Sequence, residues 1–244
     1  MSATLFISDL HLDPDRPDIT ALFRRFLAEQ AGTADALYIL GDLFEAGVGD
    51  DDDSADNTAI CAALKACSTG GTPVFIMRGN RDFLLGKRFA ENSGATLLGD
   101  PVVIDLYGNP TLLMHGDLLC TDDTEYMAFR ETVRDPAWQA GLLARPLAER
   151  QAIAREMRTA SREQTAGKPG SIMDVNADTV ADYMTRHATS QLIHGHTHRP
   201  KVHEIELAGQ PARRIVLGDW YEQGSILECT PAGCELRSLP VNSA

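Results

Sequence analysis

The chain has 244 residues, enough for one large domain or for one domain with a small insertion. Its 43% hydrophobic and 23% charged content is that of an ordinary globular protein, and a net charge of -13 argues against a nucleic-acid partner, because phosphate binding requires clustered Lys and Arg. No apolar run approaches the ~18 residues that cross a bilayer, and the N-terminus lacks the pattern of a secretion signal, so a cytoplasmic location is expected.

In chain order, β-type runs alternate with helical text: residues 4–8, 36–40, 73–77, 101–106, 111–114, 191–193, 213–217 and 225–228 read as strands. The alternation implies a layered α/β domain. The first helix follows from Ile19, Leu22, Phe23, Phe26 and Leu27, which share one face at i, i+3, i+4, i+7 and i+8, with Asp18 placed to cap its start and Gly32 its end. Beyond about residue 110 the crossovers shorten, and a more antiparallel second sheet is expected. Residues 121–187 break the rhythm with Ala-, Arg- and Glu-rich helical text, which reads as a cap inserted into a core formed by 1–120 and 188–244. Five cysteines without CxxC spacing read as reduced thiols.

Polar residues gather where the strands end. The run 4–8 leads to Asp9-Leu10-His11, 36–40 to Gly41-Asp42, 73–77 to Gly79-Asn80-Arg81-Asp82, 111–114 to His115-Gly116-Asp117, and 191–193 to His194-Gly195-His196-Thr197-His198. Ligands of open α/β sheets sit beyond the carboxyl ends of strands, so five such clusters point to one site. Imidazole, carboxylate and carboxamide together suit a divalent ion such as manganese, iron or zinc, and the lack of thiolates disfavours structural zinc. In extended backbone alternate residues share a face, so Asp9 and His11, or His196 and His198, can meet one ion. Gly41, Gly79, Gly116 and Gly195 permit the close backbone approach that such crowding demands.

These motifs (DxH, GDxxE, GNRD, a lone His, GHxH) resemble the calcineurin-like metallophosphoesterases. The resemblance implies a four-layer α/β/β/α sandwich with two mixed sheets. It also implies two metal ions, manganese being the usual choice: Asp9, His11, Asp42 and His198 on one, and Asp42, Asn80, His115 and His196 on the other, Asp42 bridging. Two such ions clamp the attacking and leaving oxygens of an in-line displacement.

Two positions depart from the broad family pattern: Glu45 stands for the second aspartate of GDxxD, and Arg81 for the histidine of GNH. Histidine can protonate a leaving alkoxide, whereas arginine stays charged and offers a planar fork for phosphate oxygens. An enzyme with that exchange suits a leaving group already stable as an anion, which favours P–O–P cleavage over a cyclic nucleotide phosphodiesterase or phosphatase reaction. The bland alternative for Arg81 is a salt bridge to Asp82. The longer motifs are similar to the diphosphatases of lipid A synthesis, whose substrate is UDP-2,3-diacylglucosamine and whose products are UMP and lipid X. That similarity assigns Asn80, Arg81 and His196 to the reacting centre, and Asp123, Ser161, Thr165 and Lys168 to the substrate alongside them, with Tyr126 and Arg158 as neighbours. Gly47 stands where a tryptophan is expected. Between 145 and 168, six basic residues face three acidic ones, so the cap can lie peripherally on the cytoplasmic face of an anionic inner membrane.

Overall fold

The computed structural model of the chain describes residues 3–166 and 172–241, the side chains of 162–166 excepted. In order, the elements are β1 (Thr4–Ile7), α1 (Pro17–Glu29), β2 (Ala36–Leu40), α2 (Ala55–Thr69), β3 (Val74–Met77), α3 (Lys87–Ser93), β4 (Thr96–Leu98), β5 (Val102–Leu106) and β6 (Asn109–Met114). They continue with α4 (Thr124–Arg134), α5 (Pro136–Leu143), α6 (Leu147–Ala166), α7 (Ala177–Arg186), β7 (Gln191–His194), β8 (Lys201–Leu207), β9 (Gln210–Val216), β10 (Gln223–Thr230) and β11 (Gly233–Pro240).

Two sheets stack face to face. The first has the order β11-β10-β1-β2-β3-β4 and the second β5-β6-β7-β9-β8. Strand alternation divides the cores: Leu5 and Ile7 face α1 and α2, while Phe6 between them faces the second sheet with Leu40, Met77, Leu113 and Ile193. A strand buried on both faces must be apolar throughout, which is why the run at 4–7 shows no polar alternation. Val180 and Met184 of α7 close the far side against Leu112, Met114 and Leu192. The result is the four-layer α/β/β/α sandwich, with mixed sheets, that the motifs implied.

Three details differ from the sequence reading. The second sheet is antiparallel only at its edges, because β6, β7 and β9 run parallel. The long helical excursion between β6 and β7 supplies the crossover that a parallel pair needs. β4, β8 and β11 lacked a clear signal, since β8 and β11 alternate exposed and half-buried positions at sheet edges. Helix α1 buries the five residues its period named, yet Pro17 at its start and Gln30 at its end, not Asp18 and Gly32, mark its limits. The cysteine reading also needs correcting: Cys229 and Cys234 form a disulfide, because the β10–β11 register sets them directly opposite with Cα atoms 4.0 Å apart. The other three remain thiols.

Within residues 121–187, α4, α5 and α6 cover the carboxyl end of the first sheet, where Val133, Leu142 and Trp138 pack on Phe83 and Leu84. By packing, α7 is part of the outer layer of the second sheet.

Candidate metal centre and cavity

The loops that follow β1, β2, β3, β6 and β7 converge. His11 Nε2 lies 3.3 Å from His198 Nε2 and 3.9 Å from Asp42 Oδ2. His198 Nε2 is 3.4 Å from Asp9 Oδ1, and His115 Nε2 is 3.8 Å from Asp42 Oδ1. Asn80 Oδ1 stands 2.9 Å from both His115 Nε2 and His196 Nδ1. All seven side chains proposed from sequence as metal ligands therefore meet, with the two oxygens of Asp42 turned toward the two halves of the cluster.

The backbone explanation offered from sequence is not the one the fold uses. Asp9, His11, Asp42, His196 and His198 have φ of 54°, 50°, 53°, 68° and 55°, in the left-handed region and not extended. Each such residue costs on the order of 1–3 kcal/mol, so surrounding contacts must enforce it. They do: Asp9 N donates to Gly41 O and His11 N to Asp42 O at 3.0 Å, Trp220 N donates to Asp9 O at 3.0 Å, and His196 N donates to Asp9 Oδ2 at 2.9 Å. Gly79 shows why the loop after β3 needs glycine, since a Cβ there would fall 2.0 Å from Asp42 Oδ1.

Several residues brace the ligands. His115 Nδ1 lies 2.9 Å from Leu40 O, so Nε2 faces the cluster. His11 Nδ1 lies 2.8 Å from Glu45 Oε2, and Arg158 of α6 contacts the other oxygen of Glu45 at 2.8 Å. Glu45 thus orients a ligand from behind, a common arrangement at metal centres. Burial alone would raise its pKa, but His11, Arg81 and Arg158 outweigh that and hold it below its ordinary range. Asp82, fully buried, accepts from Gly79 N at 2.7 Å and Leu43 N at 2.8 Å, joining the loops after β2 and β3. No ion pair joins Asp82 to Arg81 among the described residues, and the side chain of Arg81 lines the cavity instead. Asp117 ties α4 to the centre, accepting from Arg130 Nε at 2.7 Å and Tyr126 Oη at 3.2 Å, while Arg134 of α4 donates to Gly79 O at 2.9 Å. Asp82 and Asp117 stand inside motifs already quoted, so their acidity was visible and their bracing role was not.

The donor set fits divalent metal. Asp9, His11 and His198, and separately Asp9, Asp42 and His115, each offer ligand atoms within 4.8 Å of one another, which puts Asp9 in reach of both halves. Asp9 Oδ1 is buried and, among the described residues, is met only by His198 Nε2 at 3.4 Å. Burial alone would raise the pKa of Asp9, yet His198, His115 and His11 prevail and hold it well below the usual carboxylate range. Burial, aided by the neighbouring His115, lowers His196 to about 4, so its ring is neutral at pH 7. Burial also pushes His115 downward, but Asp42, Asp117 and Asp9 outweigh it and raise that ring to about 9, the response of an imidazole facing uncompensated carboxylates.

A cavity of about 260 Å³ runs from this centre under the cap. At the centre it is bounded by Asn80, Arg81, Glu45, Asp123, Arg158 and Ser161; farther in, the walls are Val48, Phe83, Leu84, Phe129, Leu142, Ile153 and Met157. Asp123 also caps α4 by accepting from Tyr126 N. Thr165 lies in α6, but its side chain is outside the described residues, as is Lys168 altogether. Gly47 lies on the same wall. A Cβ there would fall 2.7 Å from Asp82 Cβ and 2.9 Å from Asp82 Cα, so this backbone does not admit the expected tryptophan. Arg150, only 2% exposed, clasps the cap to the core by donating to Val48 O and Asp51. With Arg158 turned toward Asp13 and Glu45, two of the four cap cations whose side chains are described pair with the core.

A layered sandwich with such a cluster beyond its strand ends defines a class, and the comparisons agree: the profile for calcineurin-like phosphoesterases matches residues 3–200, and the chain belongs to that family. It is 54% identical over 243 residues to a UDP-2,3-diacylglucosamine hydrolase of Stenotrophomonas maltophilia (strain K279a), covering 97% of this chain and 98% of that protein. The same figures hold for the UDP-2,3-diacylglucosamine hydrolase of Xanthomonas axonopodis pv. citri (strain 306). A solved archaeal phosphodiesterase aligns with a TM-score of 0.48 at 12% identity, covering 98% of this chain and 99% of that one.

Proposed function

We propose that the protein hydrolyses the pyrophosphate bond of UDP-2,3-diacylglucosamine, water attacking the α-phosphorus to give UMP and 2,3-diacylglucosamine 1-phosphate (lipid X), a step of lipid A biosynthesis. The observation that carries this reading is the two-ended cavity. The candidate metal cluster, with Arg81 at its edge, opens directly into an apolar chamber, which matches a substrate with an anionic and a doubly acylated end. The likeness to the hydrolases of Stenotrophomonas and Xanthomonas supports the same substrate.

Two Mn²⁺ ions would be the cofactor, one held by Asp9, His11, Asp42 and His198 and the other by Asp42, Asn80, His115 and His196. When bound, such ions polarise phosphoryl oxygens and acidify water. Arg81, at the junction of cluster and chamber, receives phosphate oxygens with its guanidinium fork and stabilises charge that grows as the P–O bond breaks. The departing sugar phosphate leaves as an anion and needs no proton, which suits an arginine where other members carry histidine. Asn80 and neutral His196 complete the reacting centre. Asp123 and Ser161 face the sugar end of the chamber, with Thr165 and Lys168 expected beside them.

Helices α4–α6 act as the lid over the acyl chains. No described helix is long and apolar enough to cross a membrane, whereas Phe129 and Leu143 of the cap are each 42% exposed. Those side chains support peripheral binding to the cytoplasmic face of the inner membrane. Turnover of the purified, Mn²⁺-loaded enzyme on UDP-2,3-diacylglucosamine in H₂¹⁸O tests the reading. Label should enter UMP; label in the sugar phosphate would reverse the point of attack, and no turnover would end the assignment.

A further inference from the structure

A pyrophosphate cleaved at the metal cluster has two halves, and the apolar chamber accounts for only one. The nucleoside half must leave the cluster by another route. A second depression, about 520 Å³, shares no lining residue with the cap cavity and is bordered by Asp219, Tyr221, Glu222 and Gln223. It touches the cluster through two residues, and Tyr221 meets the edge of His198 as well as His11. Asp219 Oδ2 lies 3.5 Å from His198 Nδ1, and the Tyr221 ring stacks on His11 with centroids 5.0 Å apart and planes only 6° from parallel. With one face on His11, Tyr221 is still 39% exposed, and the donation of Arg16 to its carbonyl fixes its backbone.

We propose that this depression is the nucleoside subsite, with the uracil ring stacking on Tyr221 and the polar groups of Glu222 and Gln223 facing the base edge and ribose. The inference rests on the hydrolase reading above. Its physical basis is that a half-exposed aromatic plane beside a phosphate site offers stacking to any flat base, whereas the ribose and phosphate gain nothing from it. Glu222 and Gln223 are both exposed and supply an acceptor and an amide, the groups that pair with the imide and carbonyls of uracil.

The test is a calorimetric titration of the Mn²⁺-loaded protein with UMP and, separately, with ribose 5-phosphate, which lacks the base. The wild type should bind UMP about tenfold more tightly, the gain expected of one base on one aromatic ring. Tyr221→Leu, which keeps apolar cover over His11 but removes the π face, should erase the difference at unchanged manganese content, and Tyr221→Trp should restore it. Equal binding of the two ligands by the wild type, or a preference for UMP that persists in Tyr221→Leu, overturns the subsite. The titration uses no lipid, so a wild type that cleaves UDP-2,3-diacylglucosamine yet ignores the base would sink this inference alone.

Discussion

At the centre end of the cavity, the side chains are held by backbone amides and carbonyls from five loops, whereas at the cap end the walls are helices tethered by side-chain pairs such as Arg150 with Asp51 and Arg130 with Asp117. The first arrangement tolerates almost no movement, because five left-handed residues and a glycine without room for a Cβ leave one geometry. No described residue of α4–α6 carries such a backbone constraint. Chemistry that needs fixed distances and binding that needs adaptable surface have been placed on the parts of the chain suited to each.

Substitutions should expose this contrast. The largest effect is expected from Asp42→Ala, which removes the carboxylate facing both halves of the cluster: turnover should fall on the order of 10³-fold or more, with loss of bound metal by elemental analysis. Arg81→Lys keeps the charge but loses the fork, and kcat/KM should drop roughly 10²-fold while metal content stays normal. Glu45→Gln leaves His11 in place but weakens its orientation, so manganese affinity should decline about 10- to 100-fold in a metal titration. At the cap end, Met157→Ala should mainly raise KM for the diacylated substrate, by about tenfold, with kcat little changed. An equal fall in kcat would mean that the cap also positions the reacting phosphorus, and the contrast would be lost.

The smallest effect concerns pH and stability. Burial, reinforced by Arg214, depresses His194 to about 3. The unfolded chain then binds a proton below its ordinary value of 6.5 that the folded chain refuses, so this residue makes the protein lose stability as pH falls from about 6.5 toward 3. His194→Gln should lessen that loss, seen as a smaller drop in urea midpoint between pH 7 and pH 5.

Much of the centre was legible because its candidate ligands stand in short motifs fixed to strand ends, and each motif names both the residue and its place. Arg81 is the clearest case, since its place beside Asn80 put it on the wall of the cavity. The same reading misjudged the means by which Asp9 and His11 come together: αL backbone does what strand alternation was expected to do. It had no access to Tyr221 on His11, because residues 11 and 221 have no relation along the chain. The charge count of the cap misled for a similar reason. Arg150 and Arg158 look like solvated helix cations until Asp51, Asp13 and Glu45 are brought against them.

By itself the sequence determined most of the strands and helices through its apolar periodicities, the candidate ligands, and the arginine at position 81. Tertiary structure alone decided which of these groups come within reach of one another, which carboxylates accept backbone hydrogen bonds, and how the cap meets the core. Those outcomes depend on distances between residues far apart in sequence, and such distances are set by the packing of whole layers, a property that no local run of residues contains.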